Sequence, residues 1–382
     1  MEVAYIKVDA DFRNCVFAQK PVEKIKMKLR MNRGDLSGKI DAKGNFGAVT
    51  VLPEIQDLLE RPTYKVHLIT KRLNLAPLLA NDSLQSDINL KADLSGEGFD
   101  PEILQARTNV ILSQSTFSGY TIDSLVGQVN YRRQNMVIDS LWANAKSLYL
   151  TASGNYNLAG SSAIQLSAQF ENLQDFSAFI PLDSVYGQGK VNAQLSGTKD
   201  SLLLAATFEL QNAGFADITV GKLGVDATGK LTANDTTFAA TTRLENFKAG
   251  NFELDSISSS ANYYSDSVQL EMQAKGKDFH TQLKSEIALN NVINIALSEW
   301  SLDFKNQHLH LAEAPAVLEL DSLEYRLKNL KMVSDKSDSA QYIKAGGVFS
   351  QYGNEDFQFE IANVNIAGLL KSLGLDAEIS GK

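Results

Sequence analysis

The 382-residue chain is poor in most of the residues that carry chemistry or staple a fold. It has one cysteine, Cys15, which excludes an internal disulfide framework and any cysteine-based zinc cluster, and reads as a buried structural thiol. Four histidines are too few and too scattered for a catalytic triad, and no Gly-x-Ser-x-Gly elbow occurs. Only seven prolines are present, and they mostly fall outside the clearest alternating stretches, as ladder hydrogen bonding requires. No window reaches the ~18 apolar residues that a membrane-spanning helix needs. The N-terminal residues (MEVAYIKVDADFR) lack the basic start and apolar core of a signal peptide, so the expectation is an internal or truncated segment.

The net charge is −9 and the charges are scattered, which argues against nucleic acid as a partner, because phosphate binding needs a clustered basic face. The one dense basic stretch is Lys24–Arg33 (KIKMKLRMNR). There Ile25, Met27, Leu29 and Met31 alternate with Lys24, Lys26, Lys28 and Arg30, the pattern of a strand with one solvated face.

What the chain has in abundance is strict alternation, the period of a half-buried strand. Ile164, Leu166, Ala168 and Phe170 alternate with polar residues, as do Val268, Leu270, Met272 and Ala274. Leu202 to Leu210 keeps one face apolar for nine residues, and Phe357, Phe359 and Ile361 continue the pattern. Turn-forming clusters at Asn155–Asn157, Thr198–Asp200, Asn234–Asp235 and Gly353–Asp356 separate such runs. The fold class is therefore all-β. Short helical patches are expected at Pro53–Arg61, Leu75–Leu79, Phe176–Ile180 and Ile366–Leu373, each too short to be stable without packing on the sheet.

Two repeats run through this pattern. One, apolar-x-Ala-x-apolar-Ser-Gly, appears at Leu90–Gly96, Val191–Gly197 and Leu375–Gly381. A helical patch starts 15 residues before each of the first two (90 − 75 and 191 − 176). The other, apolar-Asp-Ser-apolar, appears at Ile122–Leu125, Ile138–Leu141, Leu182–Val185, Leu254–Ile257 and Leu320–Leu323. Recurrence in similar context points to one structural unit copied along the chain. The expected organisation is one continuous segment with approximate repeats at 60–165, 166–290 and 291–382. Roughly 30 strands at ~4.8 Å would extend on the order of 140 Å.

Each strand has an apolar face that must be covered, because a flat sheet would expose far more than the few hundred Å² a soluble monomer tolerates. The sheet can curl into an apolar gutter filled by lipid, close into a dry sandwich or solenoid core, or form a lipid-facing outer-membrane barrel. Aromatics at 8%, without regular spacing at strand ends, place the barrel last. Small inward residues such as Ala193, Ala206 and Ala274 suit a curved wall. In the gutter reading the candidate lipid-facing residues are Leu166, Ala168, Val191, Ala193, Leu195, Leu204, Phe208, Leu270, Met272 and Phe359.

The helical patch followed by a strand ending in Ser-Gly (Leu75–Gly96 and Phe176–Gly197) resembles the TamB and AsmA-like family of bacterial envelope proteins. So does Trp300–Leu327, read as a strand, an Ala-Pro step and a strand carrying Asp-Ser. The string Phe117–Leu125 is similar in style to the Bacteroidota members. The resemblance covers most of residues 60–382. It implies a long β-groove with an apolar interior, anchored in the inner membrane and reaching the outer membrane across the periplasm. It further implies a role in phospholipid movement and outer-membrane protein assembly, with phospholipid acyl chains and an outer-membrane Omp85-type assembly protein as partners. The resemblance therefore implies an internal or truncated segment, with that family's anchor and outer-membrane-partner domain expected in the full-length parent.

No constellation here carries catalysis, and no cofactor is expected. His308 and His310 lie two apart on a strand and point the same way, but no third ligand is near, while His67 and His280 stand isolated. The Asp-Ser aspartates (Asp123, Asp139, Asp183, Asp255, Asp321) read as turn or edge hydrogen-bonding groups. Gly127, Gly187 and Gly189 open no helix and cradle no phosphate.

Overall fold

The computed structural model describes residues 5–17, 20–100, 102–157, 160–176, 184–232, 235–304, 307–321, 324–334, 341–350, 353 and 355–368. The chain is all-β and repetitive, with 25 strands, one short α-helix and two 3-10 turns among the described elements. It divides into two units: Met1–Pro181 with Val191–Lys199, and Leu182–Lys190 with Asp200–Lys382. The repeat boundary drawn at 165/166 falls inside a strand, and the one at 290/291 falls in a loop.

The first unit begins with β1 (Tyr5–Phe17), β2 (Lys20–Asn32), β3 (Asp35–Gly44), β4 (Gly47–Gln56) and β5 (Thr63–Lys71). Helix α1 (Leu75–Leu79) and the two-residue β6 (Ser86–Asp87) lead to β7 (Leu90–Glu97). Then come β8 (Gln105–Phe117), β9 (Tyr120–Arg132), β10 (Asn135–Ala145), β11 (Leu148–Asn157) and β12 (Ser162–Phe170). β13 (Tyr186–Thr198) contributes to both units. The second unit holds β14 (Ser201–Phe215), β15 (Ile218–Thr232), β16 (Thr236–Ala249), β17 (Phe252–Tyr264), β18 (Ser267–Gly276) and β19 (Phe279–Leu289). It continues with β20 (Ile293–Phe304), β21 (Gln307–Leu311), β22 (Ala316–Leu320), β23 (Glu324–Val333), β24 (Tyr342–Ser350) and β25 (Asp356–Ala362).

Both units are antiparallel meanders. In the first, β1 to β5 and then β7 to β12 pair each with the next, β7 taking the place after β5. In the second, β14 to β20 do the same. β21 and β22 then share one position, since both pair with β20 on one side and β23 on the other, with the Ala314–Pro315 step between them. This is the strand, Ala-Pro step and strand anticipated at Trp300–Leu327.

Tight hairpins make the meander. Arg33-Gly34, Ser118-Gly119, Arg133-Gln134 and Ser265-Asp266 each join two strands with both φ angles positive, the primed turn geometry that follows strand twist. In the first Ser-Gly copy the glycine has its own cause. A Cβ on Gly96 would collide with the Tyr64 hydroxyl and the Gln105 carbonyl, so the position must be bare for Tyr64 to lie buried across it. Tyr64 stacks in turn on Phe99, with ring centroids 5.5 Å apart. The third copy, Leu375–Gly381, lies outside the described residues.

The Asp-Ser repeat falls mostly inside strands, and of the expected turn hydrogen bonds the Asp123 carboxylate makes one, accepting the Lys146 N–H in the β10–β11 turn at 3.0 Å. Asp123, Asp139 and Asp255 stand inside β9, β10 and β17, and only Asp321 sits in a connection. Asp183 lies outside the described residues. The register places Asp123 opposite Gln114 (φ 40) and Asp255 opposite Asn246 (φ 54), and neither of these cross-strand pairs belongs to the ladder. Asp139 sits where the pairing of β10 shifts against both neighbours. At such a break the apolar period slips by one residue. Leu254 and Ile257 are three apart yet neither is exposed, while Asp255 between them is. In these three copies apolar-Asp-Ser-apolar is therefore the local signature of a kinked strand that keeps its apolar residues on one face.

Other expectations need correction. Pro53–Arg61 is not helical. Val51 to Ile55 extend as strand, with Pro53 opposite Val66 on one side and opposite Gly38, at an unladdered position, on the other. Proline's missing N–H costs nothing there, and the turn begins only at Asp57 (φ 50). Asn155–Asn157 ends β11 as strand and is not a turn, because Asn155 pairs with Ala163. A 3-10 turn covers Leu173–Phe176, so the patch drawn at Phe176–Ile180 lies almost wholly outside the described residues. Residues 366–368 are helical, and the rest of Ile366–Leu373 is not described. Cys15 is half-buried on the outermost strand and is not a core thiol. Leu75–Leu79 is a helix as expected, with the Asn74 side chain accepting from the Ala76 N–H at 3.1 Å and Ala76 buried.

Candidate functional site

The register of the first unit brings its apolar residues into line. Reading across the strands from β1 to β12, one row is Ala10, Met27, Ile40, Val51, Leu68, Ala92, Val110, Gly127, Leu141, Ala152 and Leu166. Eleven consecutive positions contain no polar side chain. Two residues along each strand runs a second row that includes Phe12, Ile25, Ala42, Val49, Leu112, Leu125, Ala143, Leu150 and Ala168. On the other side Val8, Leu29, Val66, Leu94, Thr108, Val129, Ile138 and Ile164 belong to a third. Ten strand spacings of ~4.8 Å make the rows roughly 48 Å long, and three rows cover on the order of 1,000 Å², above the usual limit for a bare surface.

The reverse face is polar and ion-paired. Asp11 faces Lys26, which faces Asp41, and Asp9 faces Lys28. Lys39 reaches Asp41 at 2.9 Å and Lys24 reaches Asp11 at 3.7 Å. The basic stretch of β2 is thus a solvated strand face balanced by acids on both neighbours.

The second unit repeats the arrangement. Phe208, Val225, Thr242, Ser259, Met272, Leu283 and Trp300 make one row. Ala206, Ala227, Ala240, Ala261 and Leu270 make the next, and beyond it Leu204 stands opposite Gly229. On the other side Leu210, Leu223, Leu244, Ile257, Ala274, Thr281, Leu302 and Leu309 form a further row. The candidate residues are thereby grouped. Leu166 and Ala168 belong to the face of the first unit, and Leu204, Phe208, Leu270 and Met272 to that of the second. On β13, Val191, Ala193 and Leu195 are half-buried while Asn192 and Gln194 are exposed. Phe359 stands apart, 61% exposed on β25.

Burial distinguishes this face from a core. Its side chains are mostly half-buried, and only 17 apolar residues in the described chain are buried outright. The exception is a dry cluster of Leu302, Phe304, Leu309 and Met332, packed by Phe279, Trp300, Leu330, Ile343 and Val364.

Two histidines read as isolated have partners. Asp303 accepts from His308 Nδ1 at 2.5 Å and lies 3.3 Å from His280 Nδ1, a row across β19, β20 and β21. Its burial pushes the carboxyl up, but hydrogen bonds and charge from the two histidines hold it below the ordinary carboxylate range. His308 also stacks on His310, with centroids 6.1 Å apart, and His67 pairs with Asp93. Among the described residues no group of three His, Cys, Asp or Glu is arranged to hold a metal.

Sequence reasoning missed the kinks at Gln114, Asn212 and Asn246, whose signal was the break in alternation. It also missed an apolar spot on the polar face, where Ile111 (50% exposed) and Val126 (45%) stand opposite each other beside Trp142. Among the described residues no helix is long and apolar enough to cross a membrane. No family model matches the chain, and no curated protein is a match.

Proposed function

We propose that this chain is a non-enzymatic segment of a bridge-like envelope protein that shields phospholipid acyl chains on its apolar face. It conducts them between the inner and outer membranes and so supports outer-membrane assembly. The observation that carries this reading is the row from Ala10 to Leu166, eleven strands long, without a polar side chain and largely half-buried. An apolar surface of that size needs an occupant. A bound substrate held by specific groups would need polar side chains along the Ala10–Leu166 row, which has none, whereas an acyl chain needs only continuity and permits sliding. A sheet curled around that face, with its charged side in the water of the periplasm, meets both needs. A partner of the Omp85 type at the outer membrane completes the reading.

The test is mass spectrometry of material that copurifies with the chain expressed in a bacterial envelope and extracted without detergent exchange. Several phospholipids per chain are expected. A chain that purifies folded, monomeric and lipid-free would overturn the proposal in favour of a structural or adhesive solenoid.

A further inference from the structure

The row from Leu210 to Leu309 is unevenly covered, with Leu210 itself only 9% exposed. Leu223, Leu244 and Ile257 on β15 to β17 are half-buried, but from β18 onward burial is close to complete: Ala274 5%, Thr281 8%, Leu302 7% and Leu309 0%. Phe304 (1%) and Met332 (2%) close the same spot. One covering element is identifiable. Val364, just after β25, packs on the cluster, and the N–H of Asn365 donates to the Gln307 side chain at 2.8 Å, which fastens that segment across β21. On the opposite side of β20, Asp303 ties β19 to β21 through His280 and His308, so the strands beneath the cluster are held together from behind. Trp300 stands at the border, its indole N–H donating to the Thr281 hydroxyl at 3.0 Å.

We infer that this cluster is a stop for acyl chains along one row of the second unit: lipid occupies that row at Leu223, Leu244 and Ile257 on β15 to β17 and is excluded from its continuation on β20 and β21 by Leu302, Phe304, Leu309 and Met332 under the Val364 strap. The inference rests on the lipid reading above. Close-packed side chains with no accessible surface leave no volume for an acyl chain, so entry requires the strap to lift. The stop gives this row an end, and cargo moving along it must shift to the neighbouring row, which runs on through the half-buried Leu283 and Trp300, or wait for that opening.

The experiment is photo-labelling of the full chain with phosphatidylcholine vesicles carrying a diazirine near the acyl terminus, followed by peptide mapping. Adducts are expected on peptides of β15 to β17, at residues such as Leu223, Leu244 and Ile257, with loss of labelling across Leu302–Leu309. Val364→Asp, which places a carboxylate over the cluster, is expected to extend labelling into Leu302–Leu309. Should that variant fail to fold, the wild-type map alone decides the matter. Equal labelling of both regions in the wild type overturns the stop and leaves the lipid reading standing. Absence of adducts from both regions overturns the lipid reading, and the stop with it.

Discussion

Leu166→Glu separates an open apolar face from a dry core. Leu166 is half-buried on β12, opposite Ala152 at the end of the eleven-residue row, while Gln165 beside it is exposed. Full burial of a leucine stabilises by ~1.5–3 kcal/mol, so a half-buried one contributes about 1 kcal/mol. The lower strand preference of glutamate adds a fraction of the ~1 kcal/mol range of that scale. If water reaches the empty face, the carboxylate stays hydrated and the total cost is roughly 1–2 kcal/mol. At ~2–4 °C per kcal/mol for 150–250 residues, the melting temperature falls by roughly 2–8 °C. Were the face a dry core, an unpaired buried charge would cost ~3–5 kcal/mol and folding would be badly damaged. The lipid effect is the opposite in size, because a carboxylate lying against acyl chains must be desolvated or must displace them. Thermal unfolding and lipid retained per chain are measured on Leu166→Glu and on Gln165→Glu, which puts the same charge on the wet face. The expected result is two folded proteins, of which only Leu166→Glu has lost lipid. Normal lipid content in Leu166→Glu refutes the assignment of this row, and an unfolded Leu166→Glu refutes the open face.

Three further outcomes follow from local geometry. Gly96→Ala forces Tyr64 or the β8 backbone to move and is expected to cost ~1–3 kcal/mol in chemical unfolding; a neutral result would mean Tyr64 does not hold this position in solution. Asp123 accepts the Lys146 N–H at 3.0 Å from its side chain, so Asp123→Ala should cost about 1 kcal/mol and raise amide exchange at the β10–β11 turn, and unchanged exchange there would contradict the role given to the repeat. Asp303 has its pKa held down in the fold, so its contribution is present above the ordinary carboxylate value near ~3.9 and is lost as pH falls through the folded value. Because the side chains are partly exposed, that contribution is at most ~1 kcal/mol. Wild type should lose more stability than Asp303→Asn between about pH 5 and 2 in parallel acid titrations, and superimposable curves would exclude the pairing.

The fold class was legible because its signal is local. Alternation at Ile164–Phe170 or Val268–Ala274 needs no knowledge of partners, and a half-buried strand is the structure that uses it. Pro53–Arg61 misled because a proline followed by an acid and spaced leucines satisfies the start rules of a helix, while the fact that decides it, an unladdered position opposite Gly38, lies on another strand. The His280–Asp303–His308 row was hidden for the same reason, its members being 23 and 5 residues apart in sequence and brought together only by pairing. Among the candidate lipid-facing residues, those on β12, β13, β14 and β18 are half-buried and alternate with more exposed neighbours, but alternation could not tell Phe359 on the outermost strand from Met272 in the interior of a sheet.

The repeats matter because register and face are one constraint. A one-residue slip anywhere in eleven strands would carry the apolar set of every later strand to the polar side. Each strand must therefore be pinned to its neighbour, and two-residue hairpins do this with the fewest free torsions. A kink threatens the same alignment, since it shifts the apolar period by one. The structure keeps the face whole by placing kinks as a transverse line: Asn212, Gly221, Asn246 and Asp255 lie side by side on β14 to β17, so four strands shift phase together and the rows stay matched beyond the break. Gly221 has no side chain because a Cβ would lie 2.9 Å from the Asn246 Cβ. The Asp-Ser tetrapeptide, expected as a turn or edge hydrogen-bonding site, is thus part of what keeps an apolar surface continuous, and under the proposed function that continuity matters more than any single residue.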